Sequence, residues 1–167
     1  MPFEKSVGAV VFRREGKKIL YLLLKRTPVV PRSRYNRTYA ATGGHWDLPK
    51  GRVEKGETGE ETIKREIAEE AGIKRIKLIP GFSTWISFFY RAKGKERKNR
   101  REKKIGLNIF KVVTYYIFET KTKRVKLSWE HDDYVWLPYK DALKRLTFGN
   151  AKKVLRKAHK FLKDYKY

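Results

Sequence analysis

Residues 51–73, GRVEKGETGEETIKREIAEEAGI, constrain the fold of this chain more than any other stretch. Their spacing predicts one amphipathic helix from Gly59 to Ala71. Thr58 is placed as its N-cap with Glu61 three residues on, the pattern of a capping box. Gly72 is placed to end it in a left-handed conformation. Ile63, Ile67 and Ala71 form a stripe that must face a core. At about 100° per residue, Glu66, Glu69 and Glu70 fall within an arc of about 100° beside that stripe. The stretch carries seven carboxylates and four basic side chains in a chain of formal charge +24. Like charges at this spacing destabilise a bare helix. A hard divalent cation, magnesium or manganese, removes the conflict because it takes oxygen ligands.

The flanking sequence predicts a sheet for this helix to pack on. Lys5–Phe12 and Ile19–Lys25 are apolar and rich in β-branched residues, and they read as an opening hairpin. His45–Leu48 reads as a short strand leading into a turn at Gly51. Ile76–Tyr90 reads as one or two strands, Ile109–Glu119 as a long strand and Tyr134–Leu137 as another. Ala151, Val154, Leu155, Ala158, Phe161, Leu162 and Tyr165 recur at helical spacing, so Asn150–Tyr165 is expected to lay one face on the sheet. Thr27–Gly44 reads as a loop. Arg91–Lys104, with nine basic and two acidic residues, is expected to be a solvated loop. The expected fold is α/β, a mixed sheet between helices, in a single domain over residues 1–167.

Composition bounds the surroundings. At 167 residues the chain suits one domain, and 40% apolar residues suffice for a core. The absence of Cys removes disulfide and thiolate chemistry and makes the reducing cytoplasm the expected compartment. No run is long enough for a membrane span, and the opening MPFEKSVGAVVF lacks the apolar run of a signal peptide. The 42 Lys and Arg against 18 acidic residues imply a polyanionic substrate or partner.

Gly51, Glu57, Arg65, Glu66, Ile67, Glu69, Glu70, Gly72 and Ile73 fill every specified position of G-x5-E-x7-R-E-U-x-E-E-x-G-U, where U is aliphatic. In this the chain resembles the Nudix hydrolases, which cut diphosphate linkages with divalent cations in an α/β/α sandwich. The resemblance implies Glu66 and Glu70 as metal ligands and Glu69 as a further ligand or a base acting on water. It implies the backbone carbonyl of Lys50 as another ligand. Glu57 precedes the helix, and Arg65 is placed to orient it or its neighbours by bidentate pairing.

Outside the box, GAVVFRR, ILYLLLKR, HWDLPKGRVEKGE, GFSTWISFFYRAKGK, LSWEHDDYVWL and AHKFL are similar in order to the asymmetrical diadenosine tetraphosphate hydrolases of the animal and archaeal type. That resemblance implies hydrolysis to ATP and AMP. It implies that Tyr90 and Tyr134 sandwich an adenine and that His45, Lys50 and Lys93 touch the phosphate chain. Glu130 is implied as an added metal ligand or general base. Two segments depart from the pattern, 27–44 with Arg32, Arg34 and Arg37, and 91–104. Such basic additions suit a longer anion, including the 5′ end of an RNA. The alternatives are therefore an RNA 5′ pyrophosphohydrolase or decapping enzyme, a hydrolase of another nucleoside diphosphate derivative, and an RNA-binding module with an inactive box. No protein partner is implied.

Overall fold

The computed structural model describes residues 2–27 and 44–166. Its first two strands, β1 (Phe3–Glu15) and β2 (Lys18–Arg26), form the expected hairpin, both longer than the apolar runs alone suggest. Gly16 turns the chain between them at φ 60°, a conformation that costs glycine little. The strands pair only from Phe12↔Tyr21 to Glu15↔Lys18 and then part. The fork between them is filled by β3 (His45–Asp47) and β4 (Lys50–Arg52). The first pairs with the far end of β2, the second with the start of β1. Between them, the Pro49 carbonyl accepts from the Ala9 N–H at 2.9 Å.

Helix α1 (Gly59–Ala71) follows, and then β5 (Lys77–Leu78) and β6 (Thr84–Arg91). Next come α2 (Gly94–Glu102), β7 (Asn108–Glu119), β8 (His131–Pro138), α3 (Tyr139–Arg145) and α4 (Gly149–Asp164). β7 runs parallel to β1, and the other pairings are antiparallel, so the sheet is mixed. Its order is β8-β2-β1-β7-β6, with β5 on the last residues of β7.

Period-two alternation divides the core. Val7, Ala9, Val11, Leu22, Leu24 and Phe118 meet Ile63, Ile67 and Ala71 of α1 on one face. Val10, Phe12, Tyr21, Leu23, Val113, Tyr115 and Ile117 meet α3 and α4 on the other. The apolar stripe of α4 is buried at Ala151, Val154, Leu155, Ala158 and Leu162, with Phe161 and Tyr165 packed partly against the same core. This is the expected sandwich of helices around a mixed sheet.

The expectation of a loop over 91–104 is corrected. Residues Gly94–Glu102 form a helix that buries no residue of its own. Lys, Arg and Glu are good helix formers, and Glu96 accepts from Arg100 at 3.3 Å one turn on. Charge excluded the segment from the core without excluding helix. The turn expected at Gly51 is the strand β4, and α3 was not anticipated. Residues 28–43, with Arg32, Arg34 and Arg37, lie outside the described residues. Among the described residues no helix is long and apolar enough to cross a membrane.

Gly8 lies where β1 passes the buried ring of Tyr115, and a Cβ there would collide with that ring. Gly8→Ala is expected to lower stability by about 1–3 kcal/mol through overpacking. Urea unfolding should show a lower midpoint with an unchanged slope, and an unchanged midpoint would contradict the packing described.

Candidate active site

Helix α1 is fixed at both ends as its sequence dictates. The Thr58 hydroxyl accepts from the Glu61 N–H at 3.2 Å, and the Glu61 carboxylate accepts from the Thr58 N–H at 2.8 Å. Gly72 closes the helix at φ 66° and donates to the Ala68 carbonyl. With the helix ends set and its apolar stripe buried, the rotation of the acidic side chains follows.

Arg65 organises them. Its Nε donates to Glu57 Oε1 at 2.7 Å and its Nη2 to Glu57 Oε2 at 3.1 Å, a fork-to-fork pair. Its Nη1 donates to Glu66 at 2.8 Å and to Glu69 at 3.3 Å, and its Nη2 also reaches the Arg52 carbonyl at 3.2 Å. The guanidinium thus ties the 53–58 loop, α1 and β4 together. Arg65, with Thr62 next, pulls the Glu57 carboxyl down to about 2. Gly51 is required here because a Cβ would collide with the Glu66 carboxylate lying across β4.

Glu70 differs from its neighbours. Its residue is 5% exposed, and its Oε2 has no hydrogen-bond partner. Burial, then the charges of Glu66 and Glu130, push its carboxyl up to about 8, against a Lys50 backbone hydrogen bond and the Arg26 charge. Burial also raises Glu66, against the pull of Arg65. Glu69 turns outward, its side chain 59% exposed. Among the described residues no three His, Cys, Asp or Glu side chains stand close enough to hold an ion as they are. The orphaned, desolvated oxygen of Glu70, within the field of the Glu66 and Glu130 charges, nevertheless fits a hard divalent cation, which would supply the missing partner.

The fork between β1 and β2 brings further groups to the same place. Asp47 caps the Leu48 N–H at 2.8 Å and pairs with Lys50 Nζ at 2.8 Å, which fixes the WDLPK turn. Arg26 lies 3.8 Å from Glu130, and the Thr27 N–H donates to the Glu130 carbonyl at 2.8 Å. His45 pairs with Arg26 across β2 and β3. Burial lowers the pKa of His45, so its imidazole is neutral near pH 7. His131 is likewise lowered, by burial and then by Arg26. Arg26, Asp47 and His131 were not singled out in the sequence. Asp47 in the WDLP turn and the HDD run after Glu130 were legible cues. Arg26 had no cue, because only the pairing of β2 with β3 and β8 brings it there.

Tyr90 and Tyr134 are not brought together. Tyr134 pairs with Leu24 on β8 and packs toward α1. Tyr90 sits on β6, with β7, β1 and β2 between the two strands. Its ring neighbours Phe88, which packs toward α4. Its hydroxyl donates to Glu4 at 2.8 Å, and Glu96 of α2 lies 3.1 Å from it. Burial and then Glu4 raise the pKa of that hydroxyl. The two rings therefore do not face each other across a shared slot. Lys93 is the residue preceding α2, beyond the end of β6.

A family model described as NUDIX domain matches residues 2–158. The asymmetrical bis(5′-nucleosyl)-tetraphosphatase of Mus musculus is 29% identical over 168 residues, covering 95% of each protein. The RNA pyrophosphohydrolase of Nitratiruptor sp. is 29% identical over 111 residues, covering 62% of this chain and 64% of that protein. The crystal structure of a C. elegans Ap4A hydrolase binary complex superposes with a TM-score of 0.70 at 28% identity, covering 97% of this chain and 99% of that one.

The raised pKa of Glu70 has a consequence for folding. Between pH 4.5, its ordinary value, and about 8 the folded chain binds a proton that the unfolded chain has lost. That contribution is therefore fully present at low pH and is lost as pH rises toward 8. Without divalent cations, Glu70→Gln is expected to be more stable than the parent by an amount that grows over this window. Each kcal/mol gained raises Tm by about 2–4 °C for a chain of this size. A Tm difference independent of pH would contradict the buried, charge-crowded carboxylate.

Proposed function

The chain belongs to the NUDIX family and is a hydrolase of pyrophosphate bonds; from that premise we propose that it cleaves diadenosine tetraphosphate to ATP and AMP within a single domain. The observation that carries the reading is the buried Glu70 carboxyl, whose Oε2 lacks a partner and which feels the charges of Glu66 and Glu130, with Arg26 and Lys50 at the same fork. Anionic ligands for a cation and cationic groups for a polyphosphate lie side by side. The end-to-end similarity to an asymmetrical tetraphosphatase supports the substrate.

Glu66, Glu70 and the Lys50 carbonyl would hold magnesium or manganese, with Glu69 as a further ligand. When bound, such an ion supplies Lewis-acid neutralisation of the polyphosphate and its leaving phosphate. The protein's own groups do the rest. Arg65 holds Glu57 and Glu66 in place, so that the site is preorganised before substrate arrives. Glu130 or Glu69 takes the proton of the attacking water. Lys50 and Arg26 bind phosphate oxygens, and His45, neutral near pH 7, donates a hydrogen bond to the chain of phosphates. Tyr134, at the fork, offers an apolar face to one adenine. On this reading Tyr90 and Lys93 would meet the remote end of the substrate. The compartment proposed is the cytoplasm.

A second reading rests on the charge of +24 and on the shorter similarity to an RNA pyrophosphohydrolase: the same site removing pyrophosphate from a 5′-triphosphorylated RNA. One assay separates the two. With magnesium, diadenosine tetraphosphate, nucleoside triphosphates, ADP-ribose and 5′-triphosphorylated RNA are compared by kcat/KM, with products identified by mass. The expected result is the highest value for diadenosine tetraphosphate, yielding equal ATP and AMP. Glu66→Gln is expected to lose on the order of a hundredfold or more in kcat. Preference for the RNA would replace the first reading by the second, and undiminished turnover in Glu66→Gln would remove the helix from the reaction.

A further inference from the structure

Helix α1 covers its face of the sheet over β1 and β2 but not over β6 and the start of β7. The strand registers define what the uncovered part presents. Phe3, Phe110 and Phe89 stand in one row across β1, β7 and β6. Lys5, Val112 and Ser87 form the next row, and Trp85 stands opposite Thr114 in the row after. On the other side of the phenylalanines lies Arg91, opposite Asn108. The phenylalanine rings touch in sequence, 5.9 Å from Phe3 to Phe110 and 4.9 Å from Phe110 to Phe89. Yet Phe3 is 54% exposed, Phe89 65% and Trp85 66%.

We propose that this face is a stacking platform for single-stranded nucleic acid, separate from the hydrolytic site. Exposed aromatic rings on an open sheet, tilted 38° and 41° to their neighbours, offer π-faces to unstacked bases of any sequence. Phe89 and Trp85 lie about 13 Å apart along β6 and so engage separate bases. Lys5 and Arg91, both exposed, flank the rings on the same face and are placed for phosphates. Charge selects the occupant. An apolar patch of this kind would also suit a second copy of the chain, but two copies would each bring a formal charge of +24. A polyanion with exposed bases covers the rings and neutralises that charge at once. The platform stands whether the hydrolysed substrate is a dinucleotide or an RNA end, because none of its residues belongs to the catalytic site.

The test is fluorescence anisotropy of the full chain with a labelled 12-nucleotide single strand carrying no 5′ phosphate, as RNA and as DNA, and with the matching duplex. Phe89→Ala and Trp85→Ala are each expected to weaken single-strand binding about tenfold. Both should keep the hydrolase activity and the slope of affinity against salt, and Phe89→Tyr should bind as the parent does. Photocrosslinking of a thiouridine-substituted strand to the parent protein should label Trp85, Phe89, Arg91 or Phe110. Three results would overturn the proposal. They are alanine variants that bind as tightly as the parent, a duplex that binds equally well, and crosslinks confined elsewhere. Light scattering showing a parent dimer that Phe89→Ala dissociates would assign the face to a second copy instead.

Discussion

One guanidinium holds the candidate site in shape. Arg65 is bonded at once to Glu57 in the preceding loop, to Glu66 and Glu69 on its own helix, and to the backbone of β4. Removing it would leave several carboxylates close together with no counter-charge. Its presence satisfies most of the acidic cluster and leaves the most buried member, Glu70, without a partner for one oxygen. The site is thereby divided. Some carboxylates are structural partners of an arginine, while Glu70, raised by burial and by the charges of Glu66 and Glu130, keeps one oxygen without a partner.

The fork in the sheet gives that division its place. Parallel pairing of β1 with β7 holds β1 on one side, and β2 leaves with β8 on the other. The HWDLPKGR segment enters the gap and carries Asp47, Lys50 and Gly51 beneath the helix. Acidic and basic groups thus meet at one fork from elements far apart in sequence. The formal charge of +24 favours polyanions as ligands of the whole chain.

How much of this was legible in the sequence follows from the range of the forces involved. Local ones were plain: the Thr58–Glu61 box, the Gly72 cap and the Ile63, Ile67 and Ala71 stripe are short-range patterns, and the structure shows all three. The hairpin and the long strand β7 were marked by apolar runs. What depends on strand pairing was not. Nothing local in LLLKR marks Arg26 as a neighbour of Glu130, and LPKGR does not reveal that β4 would pair with β1. The helix α2 was hidden because a highly charged run reads equally as coil or as solvated helix, and the Glu96 contacts with Arg100 and Tyr90 that fix it are tertiary or one turn apart. The ring faces of Tyr90 and Tyr134 depend on sheet order, which the resemblance alone did not fix.

On the geometry described, Glu70 keeps its proton, with Oε2 lacking a partner, until a divalent cation takes the proton's place. Titration of Mn2+ into the protein near pH 7, followed by electron paramagnetic resonance with parallel measurement of protons released, tests it directly. A bound ion that displaces about one proton is expected, with loss of both signals in Glu70→Gln. Manganese binding of equal strength in that variant, or binding without proton release, would contradict it.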